Sequence, residues 1–418
     1  MHQTPRGTLD ILPDSVHIWQ FIEKTARAMF ACYNYKEIKT PIFESTDLFT
    51  TGIGTDTDIV SKEMYTFLDR KNRSLTLRPE GTAPIARAYI QHALHKKASH
   101  HQLYYVGPMF RYERPQSGRY RQFTQIGVEN IGSDHAFCDA EVIMMGVQLF
   151  KKLGLNQIKT QVNTIGCRIC RPVISERLRQ FLESNLKSLC SNCQIRFKTN
   201  PLRIVDCKKA SCQHYFSGMP NIRDSICQSC RDHFDQVLMY LDTNNIDFEL
   251  NANLVRGLDY YNGTTFEIIS DALGSQNALC GGGRYDTLIK RLGGPNQPAV
   301  GFAFGVERVM ALLNPSESQA MSVYVGFTSR TDDEEAFFIA QQLRYYDIKT
   351  LVCVAALSEN SHLKRAEKQG CDIKLLVYDA NRVRLFQTGC ETVSLSVNTS
   401  LSTVINRVQV AHPTRYTL

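Results

Sequence analysis

The sequence predicts an α+β protein. Antiparallel strands and helices are followed by a cysteine-rich segment, further strand-like sequence and a separate α/β domain. Three observations carry this expectation. Two runs, Tyr104 to Arg111 and Arg121 to Ile131, flank a tip at 112–120 that contains Pro115 and Gly118, the pattern of two antiparallel strands and their connection. Eight of the 14 cysteines fall between Cys167 and Cys230. Beyond residue 320, strand and helix patterns alternate as in a parallel α/β domain. A chain of 418 residues has room for about two or three domains, each with its own core.

Along the chain, Asp14 and Ser15 form a helix cap, and Ile18, Trp19, Ile22, Ala26, Met29 and Phe30 recur behind it at helical spacing. Lys36 to Glu44 reads as one strand. Pro41 inside it lacks the donor a central strand needs, which puts this strand at a sheet edge or a subunit seam. Short strands follow over Met64 to Leu68 and Ser74 to Arg78. Pro84 suits the first turn of a helix carrying Ile85, Ala88, Tyr89 and Leu94. A helix over Asp139 to Leu153 aligns Val142, Ile143, Val147, Phe150 and Leu153 on one stripe. Strand-like sequence resumes over Leu250 to Ile269, and Ala299 to Phe304 leads into a helix ending near Leu313. Asn314-Pro315-Ser316-Glu317-Ser318 is a linker by composition. After it, strands over Ser322 to Phe327, Thr350 to Val354 and Ile373 to Val377 alternate with helices over Asp332 to Tyr345 and Ser361 to Gln369.

Hydrophobic content of 43% and charged content of 21% are those of an ordinary soluble protein. The longest apolar runs fall far short of a membrane span, and MHQTPRGTLDILPD has no apolar stretch behind a basic tip. A cytoplasmic protein without membrane contact is expected. The net charge is +7, and 12 Lys/Arg against 6 Asp/Glu lie between Ile165 and Asp235, whereas the last 99 residues hold 11 against 10. The excess in the middle is either a footprint for a phosphate backbone or a solvated basic surface. In that same segment Cys167-x₂-Cys170, Cys190-x₂-Cys193, Cys207-x₄-Cys212 and Cys227-x₂-Cys230 form four close pairs. Two such pairs make one tetrahedral zinc site, so four allow two, and a reducing cytosol disfavours disulfides. Spacing leaves open which pairs combine, whether His214 or His233 replaces a thiolate, and whether the thiols are simply free.

FRYERPQSGRYRQFTQIGVE, from Phe110 to Glu129, is where the chemistry concentrates. Alternation puts Arg121, Phe123, Gln125, Gly127 and Glu129 on one face of the second strand, and Gln122, Thr124, Ile126, Val128 and Asn130 on the other. With Ile126 and Val128 in the core, the first face is a floor bearing a ring, a guanidinium, an amide and a carboxylate, which suits a nucleotide. Arg111 closes the preceding strand and can lean over that floor. A guanidinium grips phosphate oxygens with two parallel hydrogen bonds. Arg114 and Arg119 sit at the tip, better placed for a larger polyanion. A solvated basic hairpin fits the same spacing.

This stretch resembles the second signature of class II aminoacyl-tRNA synthetases in its histidyl-tRNA synthetase version. RGTLDILP (Arg6 to Pro13), TLRPEGTAPIAR (Thr76 to Arg87), LVRGLDYYNGTTFE (Leu254 to Glu267), CGGGRYD (Cys280 to Asp286) and GFAFGVERV (Gly301 to Val309) agree with it across the chain. The resemblance implies an antiparallel class II catalytic sheet flanked by helices over 1–165 and 246–314, a cysteine-rich insertion domain over 166–245, and a C-terminal α/β anticodon-binding domain over 320–418. It also implies a homodimer with the Lys36 to Glu44 strand at its seam. The implied reaction joins L-histidine to ATP as histidyl-adenylate and then passes the histidyl group to tRNA(His). Arg111 and Arg256 would be catalytic, holding the α-phosphate from two sides. Arg111, Glu113, Phe123 and Arg308 would bind ATP, with Phe123 under the adenine, Arg308 on the γ-phosphate and Mg²⁺ bridging the outer phosphates. Glu80, Thr82 and Gln125 match the family residues for the ammonium of histidine; Glu129, Tyr260 and Tyr261 match those around its imidazole. Arg114, Arg119 and Arg121 would face tRNA, and the basic insert would clasp its acceptor arm. Zinc in the insert would be structural.

Two other readings stay open on sequence grounds. A non-catalytic histidine sensor or regulatory subunit of the same family would usually lack the ATP arginines or the C-terminal domain, and this chain has Arg111, Arg256, Arg308 and about 100 residues after the linker. A zinc-ribbon RNA-binding protein accounts for the insert alone.

Overall fold

The computed structural model describes residues 2–55, 57–115, 118–274, 277–313, 322–379, 382–387, 393–396 and 401–406; the expected linker at 314–318 lies outside them. The chain divides into two compact units, Met1–Asn314 and Pro315–Leu418.

In the first unit α1 (Val16–Cys32) buries Ile22, Ala26, Met29 and Phe30, the stripe its spacing foretells. The single strand expected over 36–44 is instead broken. β1 (Lys36–Glu37) pairs in parallel with a later strand, whereas β2 (Phe43–Ser45) joins a different, three-stranded sheet. The break is at Pro41, which has no N–H for a ladder. The carbonyls of Thr40 and Pro41 turn to the buried guanidinium of Arg78, whose Nη1 donates to them at 3.0 and 3.4 Å. After α2 (Thr46–Ile53), β3 (Tyr65–Leu68) and β4 (Ser74–Leu77) complete that small sheet in the order β2-β4-β3. α3 (Thr82–Gln91) follows, with Pro84 in its first turn as expected.

β5 (His101–Phe110) and β6 (Gln122–Ile131) pair antiparallel over their whole length, with Tyr105 opposite Gly127. α4 (Ala136–Lys152) packs its apolar stripe on the sheet, and β7 (Lys159–Thr164) leads into the insert. The cysteine-rich segment expected as an insert contains α5 (Cys170–Leu182), α6 (Ser191–Thr199), α7 (Ala210–Gln213) and α8 (Gln228–Thr243). α8 returns the chain to the main core through Phe234, Val237 and Leu241. β8 (Glu249–Leu250), β9 (Thr264–Ile269), β10 (Ala278–Arg284), α9 (Leu288–Arg291), β11 (Ala299–Gly305) and α10 (Val306–Met310) complete the unit.

The large sheet runs β1-β5-β6-β11-β10-β9-β7-β8. Six strands from β5 to β7 are antiparallel, but the two-residue strands at both edges are parallel to their neighbours, so the sheet is mixed and not purely antiparallel. The strand expected over 250–269 also fails in the middle. Residues 251–263 form an irregular segment punctuated by asparagines and by Gly263 at φ +67°. Asn163 Nδ2 donates to the carbonyls of Ala252 and Leu254, at 3.3 and 3.1 Å, in place of a ladder.

In the second unit β12 (Ser322–Phe327), α11 (Asp333–Tyr345), β13 (Lys349–Val352), α12 (Glu359–Lys368) and β14 (Ile373–Asp379) alternate as expected. β15 (Arg382–Gln387) and β16 (Val393–Leu395) then add two antiparallel strands, so this sheet, β13-β12-β14-β15-β16, is mixed too. Val323, Val325, Ile339, Leu343, Ile373 and Leu375 form its core.

Candidate active site

The middle of the large sheet forms the floor of a cavity. On β6, Ile126 and Val128 are fully buried in the core below, whereas Phe123, Gln125 and Glu129 line the cavity above. Neighbouring strands make room with glycines. A Cβ at Gly301 would collide with the Glu129 carboxylate, and one at Gly281 with the Arg256 guanidinium. Gly281 and Gly301 are therefore spaces that long polar side chains of adjacent segments fill. One wall is the start of α3. Glu80 accepts from the backbone N–H groups of Thr82 and Ala83, both at 2.8 Å, so it caps the helix while lining the cavity. The other wall is the 251–263 segment, which contributes Arg256, Leu258, Tyr260 and Tyr261.

One end of the cavity is a buried polar network. The Gln125 carbonyl oxygen accepts from Tyr105 Oη at 2.8 Å and from the Gly81 N–H at 3.1 Å, which turns its NH₂ toward the open space. Thr82 Oγ1 donates to Glu129 Oε1 at 2.7 Å, and Tyr285 Oη donates to Glu129 Oε2. Tyr260 Oη reaches Glu80 Oε2 at 3.4 Å. Glu80 and Glu129 are each 2% exposed. Burial pushes Glu129 up to about 8 against the opposing donors of Tyr285 and Thr82, and the charge of Glu80 adds to the rise. Burial raises Glu80 as well, against the backbone N–H groups it caps. Two buried carboxyls with few counter-charges make an enclosure for a small ligand rich in N–H donors.

The other end is cationic. Arg111 Nε donates to the Pro79 carbonyl at 2.8 Å, which holds the guanidinium 5.4 Å from the Phe123 ring centroid. Arg119 and Glu113 pair at 3.1 Å, and Arg111 lies 3.7 Å from the same carboxylate. Arg256 pairs with Glu267, and its Nε has no hydrogen-bond partner among the described residues. Arg308, on α10, donates to the Ala278 carbonyl; burial first, then the nearby Arg119, lowers it to about 10. Four guanidinium groups line this end with the carboxylates of Glu113, Glu267 and Glu307 and the ring of Phe123, a receptor for a polyanion with a flat base.

Arg111, Glu113, Phe123, Arg256 and Arg308 thus share one cavity with Glu80, Thr82, Gln125, Glu129, Tyr260 and Tyr261. Arg119, in the hairpin tip, lines the same cavity together with Gly118 and Tyr120. Arg121, expected beside Phe123, is outside it. Ladder pairing stops at Gln122, and the side chain stacks 3.8 Å over Tyr112 and donates to the Glu113 carbonyl at 3.3 Å. Its backbone N–H holds the Gly7 carbonyl at 2.7 Å, which ties RGT to the hairpin. Arg114 is exposed. Tyr105, Tyr285 and Glu267 were not singled out from the sequence, although Glu267 closes LVRGLDYYNGTTFE and Tyr285 sits in CGGGRYD. Tyr105 had one signal, its place opposite Gly127 in the hairpin register.

The eight insert cysteines form two sets, Cys167, Cys170, Cys227 and Cys230, and Cys190, Cys193, Cys207 and Cys212. Within each set the sulfurs lie within 4.8 Å of one another. Cys167 and Cys170 are 3.6 Å apart and Cys170 and Cys230 3.9 Å, close to the ~3.8 Å edge of a tetrahedron with ~2.3 Å metal–sulfur bonds. The backbone N–H groups of Cys227 and Cys190 point at the sulfurs of Cys170 and Cys212, at 3.1 and 3.2 Å. The thirteen described cysteines are unbridged. His233 lies 3.4 Å from Asp139 and His214 packs against Tyr215, so neither replaces a thiol in these sets. Either set could bind a metal.

Among known proteins, the family model of histidyl-tRNA synthetase matches residues 7–184 and 219–309. A histidine–tRNA ligase of Syntrophotalea carbinolica is 47% identical over 365 residues, covering 87% of each chain. One from Caldanaerobacter subterraneus subsp. tengcongensis is 41% identical over 401 residues, covering 93% of this chain and 96% of its own. The crystal structure of apo S. aureus histidyl-tRNA synthetase superposes with a TM-score of 0.81 at 33% identity, covering 97% of this chain and all of that one.

Proposed function

Because the chain belongs to the histidyl-tRNA synthetase family, we infer that its cavity joins histidine to ATP and delivers the histidyl group to tRNA(His). The chain is a histidine–tRNA ligase; a purely regulatory role is not favoured, given relatives that are ligases over most of their length. The observation that carries the mechanism is the meeting of a buried carboxyl pocket and four arginines in one cavity.

Histidine has an ammonium, an imidazole and a carboxylate. In our reading Glu80, Thr82 and Gln125 take the ammonium, and Glu129, with Tyr260 and Tyr261, takes the imidazole. That leaves the carboxylate aimed at the arginine end. Its oxygen attacks the α-phosphorus of ATP, pyrophosphate leaves, and histidyl-adenylate remains. The attack brings two anions together, so fixed cations at the α-phosphate lower the barrier. Arg111 and Arg256 supply them from two sides, Arg308 holds the γ-phosphate, and Phe123 stacks under adenine. The reaction implies Mg²⁺; Glu113 and Glu267 are the carboxylates at that end that would hold it, and when bound it neutralises the outer phosphates. A ribose hydroxyl of the tRNA 3′ end then displaces AMP.

Several finer assignments belong to the same reading. The second unit binds the anticodon, and two copies form a dimer with β1 at the seam. Arg114 and the basic insert face tRNA, while Arg119 and Arg121 order the hairpin that reaches it. The two cysteine sets hold structural zinc, which their sulfur spacing fits. The direct test is ATP–pyrophosphate exchange with and without histidine. Histidine-dependent exchange is expected, and its absence in an enzyme that binds both substrates would return the sensor reading. Charge reversal at Lys208 and Lys209 should weaken tRNA charging and spare exchange; equal loss in both assays would reject the insert's role.

A further inference from the structure

The segment 194–206 runs between Cys193 and Cys207, two members of the set Cys190, Cys193, Cys207 and Cys212, called distal here, with Cys167, Cys170, Cys227 and Cys230 the proximal set. Its side chains reach out of the insert. Arg196 and Arg203 contact Asp58 Oδ2 at 3.0 and 3.3 Å. Asn200 Nδ2 donates to Asp259 Oδ1 at 2.9 Å. From the proximal set, Arg171, next to Cys170, donates to the Asp259 carbonyl at 3.4 Å. Asp259 sits between Leu258 and Tyr260-Tyr261, all three of which line the cavity, while its own side chain meets the insert. Its N–H donates to the Ile53 carbonyl at 3.2 Å. The 251–263 segment has no strand ladder to hold it. At Asp259 its outward face meets Asn200 and Arg171 as well as Ile53, and its inward face is the tyrosine wall.

We propose that segment 194–206 is a strut that positions Tyr260 and Tyr261 for histidine, and that metal in the distal cysteine set locks the strut. The inference rests on the histidine-pocket and zinc readings above. Metal in that set ties Cys193 to Cys207 and so removes the freedom of the loop between them. Asn200 and Asp259 are positioning residues; neither lines the cavity. At the nucleotide end, Phe123 on β6 and Arg308 on α10 lie outside the strutted segment, and Arg256, which lies within it, is tied separately to Glu267 on β9. Loosening the strut should therefore raise the histidine KM and leave the ATP KM in place.

The experiment compares wild type, Asn200→Ala, Asn200→Asp and Cys193→Ser in ATP–pyrophosphate exchange, with zinc counted per chain by elemental analysis. Asn200→Ala leaves every cysteine intact, so it tests the strut even if the cysteine variant fails to fold. The expected result is a histidine KM raised about tenfold in the variants, more in Asn200→Asp, with the ATP KM within about twofold. Zinc should fall from two to one in Cys193→Ser and stay at two in the Asn200 variants. An unchanged histidine KM in all variants, with zinc present, overturns the strut. A raised KM in Asn200→Ala with no zinc in wild type supports the strut and rejects the metal lock. Histidine and ATP KM values rising together would show general loosening and overturn the inference.

Discussion

Glu129 sits where a charge is expensive. Burial pushes its carboxyl up to about 8, whereas in an unfolded chain it ionises near 4.5. Between these values the folded state holds a proton that the unfolded state has lost, so this group's contribution to stability declines as pH rises from about 4.5 to 8. The raised pKa suits a pocket that receives an imidazole, which adds an N–H donor able to carry positive charge to the neutral donors of Thr82 and Tyr285. Glu129→Gln should therefore reduce the downward slope of Tm with pH in the unliganded enzyme, measured by calorimetry. It should also raise the histidine KM by roughly 10- to 100-fold, the loss of a charge-assisted hydrogen bond of about 1.5–3 kcal/mol. An unchanged slope would mean that Glu129 titrates normally. At this scale the sequence was informative where strand alternation governs. Phe123, Gln125 and Glu129 face the cavity as their spacing requires. It misled at Arg121, because alternation ends with the ladder and nothing local marks that end.

The elements explain why glycine-rich strands border the site. Gly281 on β10 leaves the space that the Arg256 guanidinium occupies. Gly281→Ala should displace Arg256 and slow pyrophosphate exchange about as much as removing that guanidinium, with far-UV circular dichroism unchanged. Normal exchange by the alanine variant would show that Arg256 works from another position. The tandem glycines were visible in the sequence, but their purpose was not, since it depends on a residue some 25 positions earlier. Other elements were legible only in part. Pro41 foretold an edge position, which β1 and β2 both take, yet not that they would enter different sheets. The residues 382–385 alternate arginine with the buried Val383 and Leu385, a half-buried strand pattern that the β/α rhythm before it obscured. The cysteine pairs announced metal-site spacing, but their combination, first with fourth and second with third, needed three dimensions.

At the scale of the molecule, the antiparallel strands gather residues 111, 256 and 308 from distant parts of the chain into one cavity. The second unit has its own core, formed without the first. A chain ending at residue 314 is thus expected to keep histidine-dependent pyrophosphate exchange and to lose most tRNA charging. Loss of both activities in a folded fragment would show that the second unit serves the chemistry itself. Adenylate formation as proposed depends on cations converging over the reacting phosphate. Single-turnover formation of histidyl-adenylate by Arg256→Ala, at saturating histidine and ATP, examines this most directly. Removing one such preorganised donor should slow the step by about 10²–10³-fold, with histidine affinity little changed. A rate equal to that of the unmodified enzyme would contradict the convergence of these groups on the transition state.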